Sequence, residues 1–130
     1  MKTPDGLKYS KTDEWVKVDG NIATIGITDF AQDSLSDIVF VEILANSNDI
    51  LQQGDICVTL ESVKAAADVH LPITGRVIAT NENLADSPEK VNTSPYDDAW
   101  MVIVEMANPT ELGQLMDPVT YIQFCEERGH

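Results

Sequence analysis

The 130-residue sequence predicts a mainly β fold of about seven short strands, with a pair of helices at its C-terminal end. Three observations predict it. Short runs rich in β-branched residues recur, each bounded by Gly, Asn, Asp or Pro. The apolar pattern changes from a strand period to a helix period only after Asn108-Pro109. Hydrophobic residues make up 43% of the chain and aromatics only 6%, which calls for an aliphatic core. The length suits one domain spanning residues 1–130, with a β core over about 15–106 and helices over about 109–128.

Each element has a local reason. Residues 1–11 are a polar leading segment. Trp15-Val16-Lys17-Val18 alternates into an Asp19-Gly20-Asn21 turn, and Ile22–Ile27 alternates out of it, as in a β-hairpin. Thr28 or Asp29 supplies an oxygen that caps a helix over 29–35, with Ala31 and Leu35 on one face. Ile38–Ile43 is a β-branched strand, and Asn46–Gln53 is a polar loop. Gly54-Asp55 turns the chain into a strand over Ile56–Glu61. A tight turn around Lys64 follows. Alternation resumes at Asp68–Leu71 and stops at Pro72, and the weak strand propensity of Ala65, Ala66 and Ala67 leaves them unassigned. Arg76–Thr80 is a strand after the Thr74-Gly75 turn. Asn81–Asp98 is a long loop of the kind that is functional or wrapped on the core. Trp100–Met106 closes the β series. Asn108-Pro109 opens one helix, bearing Leu112, Leu115 and Met116. Asp117-Pro118 opens another, bearing Tyr121, Ile122 and Cys125 and ending at Arg128 and Gly129.

The net charge is −14, from 22 acidic and 8 basic residues. Such a surface repels phosphate backbones and anionic membranes, so neither nucleic acid nor membrane is an expected partner. It favours partners with basic docking faces. No window is apolar enough to span a bilayer, and Met1–Ser10 lacks the pattern of a signal or transit peptide. Cys57 and Cys125 stand far apart, outside any CxxC pattern, and read as buried free thiols in a reducing compartment.

Catalytic machinery is missing from the sequence. There is no nucleophile elbow, phosphate loop or dinucleotide fingerprint. Of two histidines, His130 is terminal and His70 reads as a solvent-facing strand residue, so no metal site is expected. If the protein serves catalysis, the reactive group is carried in as a cofactor. Lys64 is where such a group would attach. It is the only Lys or Arg between Val18 and Gly75, and Ser62, Val63, Ala65, Ala66 and Ala67 around it are short. From these residues alone, a plain surface lysine on an acidic interaction module stands beside an acylated carrier lysine.

Read together, several segments resemble the glycine cleavage H-protein family, the lipoyl carriers of that system. These are Leu7-Lys8-Tyr9, Glu14-Trp15-Val16, Ala23–Thr28 with Ala31-Gln32, Asp37–Glu42, Glu61-Ser62-Val63-Lys64-Ala65-Ala66, Pro72-Ile73-Thr74-Gly75, Val91-Asn92 with Ser94-Pro95-Tyr96, and Trp100-Met101. The resemblance implies a barrel-sandwich hybrid, lipoyl/biotinyl-like, with two small antiparallel sheets. It implies lipoate in amide linkage to Lys64 and no catalytic residues. The arm would take an aminomethyl group from glycine decarboxylase (P component) and present it to the aminomethyltransferase (T component). Dihydrolipoamide dehydrogenase (L component) would reoxidise it. It implies an arm cleft at Thr12, Glu14 and Asp68, where carboxylates hold the cationic amine. Glu61, Ser62, Val63 and Ala65 would be read by a lipoate ligase or a lipoyl/octanoyl transferase. A monomer in the bacterial cytoplasm is expected, or in the mitochondrial matrix for a processed organellar form.

Three positions depart from the family pattern. Asp13 replaces the usual His and adds negative charge beside the cleft. Ser36 replaces the usual Gly before Asp37, which implies a backbone open to any residue there, and Asp98-Ala99 implies the same before Trp100. Within carriers, a biotinyl domain favours Met on both sides of the lysine, where this chain has Val63 and Ala65. A bare 2-oxoacid dehydrogenase lipoyl domain lacks the Tyr9–Trp15 segment and the C-terminal helices.

Overall fold

The structure, a computed structural model, describes residues 1–128. Gly129, expected as a helix stop, and His130 lie outside the described residues. Nine strands are present among the described residues: β1 Lys8–Tyr9, β2 Glu14–Asp19, β3 Ile22–Ile27, β4 Ile38–Ile43, β5 Ile50–Leu51, β6 Ile56–Ser62, β7 Ala66–His70, β8 Gly75–Thr80 and β9 Val102–Met106. They form a six-stranded sheet in the order β1-β2-β3-β9-β8-β5 and a three-stranded sheet in the order β4-β6-β7. Every pairing is antiparallel. The helices are α1 Asp29–Leu35, α2 Lys90–Thr93 and α3 Pro118–Glu127, with 3-10 turns at Glu82–Ala85 and Pro109–Gln114.

The mainly β, two-sheet expectation holds, and its seven strands are present. The two additional strands are two-residue edge pairings inside segments too polar to signal a strand. The β2–β3 hairpin pairs Asp19 with Ile22 around Gly20, whose φ of +62° suits a tight two-residue loop. α1 is capped by Thr28, whose hydroxyl accepts from Ala31 N at 3.2 Å.

The core is aliphatic where the sheets face each other. Val16, Ala23, Ile25, Val77, Val102 and Val104 of one sheet pack with Val41, Val58, Leu60 and Val69 of the other. Complete burial of a side chain such as Leu60 contributes about 1.5–3 kcal/mol. A second cluster, Tyr9, Trp15, Phe30, Tyr121 and Cys125, is built from the few aromatics the chain has. Tyr9 and Tyr121 stack at 4.7 Å, which docks α3 on β1. Gly26 lies under Trp15, and a Cβ there would sit 2.7 Å from the indole ring.

Three expectations are corrected. The C-terminal helical pair is present as a 3-10 helix, Pro109–Gln114, and α3, but its first member stops short of Leu115 and Met116. Leu115 is extended, and Met116 exchanges backbone hydrogen bonds with Tyr9 at 2.7 and 2.8 Å, so the sheet edge takes the groups a helix would have used. His70 is half-buried instead of solvent-facing, and its Nδ1 is buried without a hydrogen-bond partner. Ser36 has φ 68° and ψ −157°, the glycine-favouring backbone that its side chain had argued against. The segment that follows β8 holds it there. Asn92 Nδ2 donates to Ser36 O at 2.9 Å, and Asn92 Oδ1 accepts from Ile38 N at 2.9 Å. The long loop is thus wrapped on the core, as Asn81 also shows by donating to the carbonyls of Asp98 and Trp100.

Candidate functional site

Lys64 stands at the tip of the β6–β7 hairpin, in a four-residue turn from Ser62 to Ala65. Ser62 N donates to Ala65 O at 2.7 Å, and the Ser62 hydroxyl accepts from the backbone N–H groups of Lys64 and Ala65 at 3.1 and 2.9 Å. Ser62 therefore shapes the turn. Glu61, Val63, Lys64 and Ala65 are exposed. The alanines that sequence left unassigned divide here: Ala65 ends the turn, while Ala66 and Ala67 pair with Glu61 and Leu60 in β7. Val63 N donates to Asp37 O at 3.0 Å, tying the tip to the chain after α1. Lys64 Nζ donates to Ser34 O at 2.8 Å, near the C-terminal end of α1, where carbonyls lack helical partners.

Ser34 is also a wall of a groove of about 200 Å³ between α1 and the β7 edge. Ile27, Phe30, Ala31, Leu35, Leu60 and Val69 make it largely apolar, and Thr12, Asp13, Glu14 and Asp68 supply its polar side. The three residues expected in a cleft are thus brought together, with the Lys64 amine at its border. A second concavity, lined by Met1, Asp29, Phe30, Asp33, Cys125 and Glu126, shares only Phe30 with the groove and holds none of the expected cleft or attachment residues.

Glu14 is the unusual member, only 1% exposed. Burial raises its pKa above the ordinary glutamate value. The Ser10 and Thr12 hydroxyls, which donate to Oε1, and His70 N–H, which donates to Oε2 at 3.2 Å, act in the opposite direction. Asp68 is exposed, so besides Asp13 the groove offers one buried carboxyl and one solvated one.

Asp13 adds less charge than its sequence position suggested. Its carboxylate accepts two hydrogen bonds from Arg128, at 2.7 and 3.1 Å, and one from the Tyr121 hydroxyl at 2.8 Å. The Thr28 hydroxyl lies 2.7 Å from that of Tyr121 and donates to it, since Tyr121 spends its proton on Asp13. Arg128 is sandwiched over Phe30 and Phe124 at 4.2 and 4.4 Å, so the end of α3 clamps the β2 entrance where Asp13 has a φ of 73°. Sequence reasoning missed Ser34, Ser10 and the His70 amide. Two of these act through backbone atoms, which carry no residue-type signal, and only the Ser10-x-Thr12-x-Glu14 alternation of hydroxyls beside an acid pointed to the third.

Comparison with known proteins decides the family. The family model described as "Glycine cleavage H-protein" matches residues 7–128. The chain belongs to the glycine cleavage H-protein family. It is 50% identical over 126 residues to the glycine cleavage system H protein of Carboxydothermus hydrogenoformans, covering 97% of this chain and 96% of that one. It is 49% identical over 123 residues to the mitochondrial H protein of Oryza sativa subsp. indica, covering 95% of this chain and 74% of the relative. The crystal structure of a glycine cleavage system H protein from Mycobacterium marinum superposes with a TM-score of 0.83 at 25% identity, covering 98% of this chain and all of that one. As an H protein, the chain is the lipoyl carrier of the glycine cleavage system, a carrier and not a catalyst. No helix among the described residues is long and apolar enough to cross a membrane.

Proposed function

We propose that Lys64 is the residue that carries the lipoyl group, in amide linkage, and that the groove lined by Thr12, Glu14 and Asp68 receives the loaded end of the arm. The observation that carries this reading is the position of Lys64. Its amine is exposed, at the tip of a turn fixed by Ser62, and borders a groove with apolar walls and the carboxyls of Asp13, Glu14 and Asp68.

The residues present fit such a group. Short neighbours leave the amine open to an acylating enzyme. Ile27, Ala31, Leu35, Leu60 and Val69 suit an aliphatic chain, and Glu14 and Asp68 suit a cationic amine. When bound, the dithiolane supplies thiol–disulfide exchange and group transfer that no side chain here provides. The protein's own part is to hold, shield and release. Ser10, Thr12 and the His70 amide fix the Glu14 carboxyl, and a cation arriving in the groove would draw it into the ionised form that burial alone disfavours. The groove walls keep water from an aminomethyl group that is labile in solution. The tether turns diffusion among several enzymes into a local search.

The partners of this reading are glycine decarboxylase, the aminomethyltransferase, dihydrolipoamide dehydrogenase, and a lipoate ligase or lipoyl/octanoyl transferase. The setting is the bacterial cytoplasm, or the mitochondrial matrix for a processed organellar form. The lipoylated protein should support exchange of carbon dioxide with the glycine carboxyl by glycine decarboxylase. No exchange above that of the unlipoylated chain would overturn the assignment of these partners.

A further inference from the structure

Of the carboxyls that line the groove, Asp13 carries its own counterion. Arg128, at the end of α3, spans both of its oxygens, whereas no salt bridge reaches Glu14 or Asp68 among the described residues. Arg128 is not itself a lining residue. Its guanidinium touches the groove from behind, through Asp13 and through the ring of Phe30, which is a groove wall. Asp13 is held at the groove by other contacts as well. Its N–H donates to Ser10 O at 3.1 Å, its carbonyl accepts from Thr28 N at 3.0 Å, and its carboxylate accepts from the Tyr121 hydroxyl at 2.8 Å. The carboxylate therefore stays in place without the guanidinium, and what Arg128 adds there is positive charge.

That charge bears on what the groove can hold. With Asp13 compensated, a cation meets the solvated Asp68 and the buried Glu14, which ionises at a cost. Without Arg128, a third and uncompensated carboxylate beside Glu14 would deepen the attraction for a cation. It would also offer the cation a competing seat. A carrier must release its load, so a hold that is too strong impairs it as surely as one that is too weak.

We propose that Arg128, acting through Asp13, is a positioning residue that sets how tightly the groove holds the cationic end of the arm, confining it to Glu14 and Asp68 while leaving it free to depart. The proposal rests on Lys64 being the carrier lysine. An aminomethyl thioether breaks down with water to formaldehyde, ammonia and the thiol. The lone pair of the unprotonated amine opens the C–S bond, the sulfur leaves with the bonding electrons and takes up a proton, and water supplies the oxygen of formaldehyde. A tighter hold on the ammonium form slows this release, because a nearby opposite charge favours the charged form.

The test uses the full lipoylated chain, loaded from glycine by glycine decarboxylase, isolated, and followed for formaldehyde release at low salt. Arg128→Gln gives the groove one more net negative charge and should slow release about fivefold. Asp13→Asn leaves Arg128 uncompensated and should speed it by a similar factor. The Asp13→Asn/Arg128→Gln double variant restores the balance and should lie within about twofold of wild type. Arg128→Lys keeps the charge without the planar fork and should do the same. High salt should shrink both single-variant effects. A second readout needs no lipoyl group. In the unmodified chain, the carboxyl-carbon NMR signal of Glu14 should titrate at higher pH in Arg128→Gln than in wild type, at lower pH in Asp13→Asn, and near wild type in the double variant. Glu14 also faces His70 and Asp68 on β7 and Cys57 on β6, and these are common to all four proteins.

If Arg128 merely clamps α3 to the fold, every variant lacking the bidentate pair should release formaldehyde faster, Arg128→Lys and the double variant included. That outcome, or single variants equal to wild type, overturns the proposal while the carrier reading stands. Should Arg128→Gln fail to fold, Asp13→Asn carries the test, and release no faster than wild type, or a Glu14 titration not moved to lower pH, overturns it. A wild type that takes no lipoyl group on Lys64 overturns both.

Discussion

Lys64 Nζ and the backbone oxygen of Ser34 meet at 2.8 Å, which joins the hairpin tip to the C-terminal end of α1 and sets the amine at the border of the groove. Acylation removes that ammonium and its charge-assisted hydrogen bond. The contact belongs to the unmodified chain, and Ser34 O is left free to face whatever enters the groove.

Asp68 is the solvated carboxylate of the groove. Asp68→Ala should leave lipoylation unchanged. Protein loaded with the aminomethyl group should release formaldehyde faster, by a factor of about ten if one charge-assisted hydrogen bond is lost. Time courses of formaldehyde release from loaded wild type and variant decide this, and equal rates would remove Asp68 from the account.

Glu14 makes stability depend on pH in an uncommon direction. Burial holds its proton to higher pH in the folded chain than in the unfolded one, whose carboxyl titrates near the ordinary 4.5. The contribution is fully present below that value and is lost as pH rises through the folded value. Relative to Glu14→Gln, wild type should therefore lose stability as pH rises above the ordinary 4.5, read as the difference in urea midpoint at constant m. The Gln variant's own mismatch with the His70 N–H shifts the difference without changing its slope. A difference that grows in favour of wild type as pH rises would contradict the desolvated carboxyl.

Ser36 holds a glycine-favouring conformation with a non-glycine side chain. Ser36→Gly should stabilise the protein by about 1 kcal/mol, the relieved strain exceeding the entropy that glycine adds to the unfolded chain. Urea denaturation measures this. A destabilised Gly variant would show that Asn92 holds the turn without strain.

Most strands, α1 and the Lys64 turn were legible because each is encoded locally, by alternation, a capping oxygen or a turn residue. The errors arose where tertiary structure supplied the partner. Met116 left its helix because Tyr9 offered a sheet edge. Ser36 kept a strained backbone because Asn92, 56 residues away, bonds to it. The groove was legible only through family resemblance, since Thr12 and Glu14, at the turn into β2 and at its start, meet Asp68 of β7 only through the topology. The neutralisation of Asp13 depends on Arg128, 115 residues away, and no local pattern announces it.

The central claim is that Lys64 is the acylated residue, and intact-mass analysis after incubation with lipoate ligase, lipoate and ATP tests it most directly. Wild type should gain one lipoyl group, mapped to Lys64 by peptide analysis, and Lys64→Arg should gain none. An unmodified wild type, or an adduct that persists in Lys64→Arg, would contradict it.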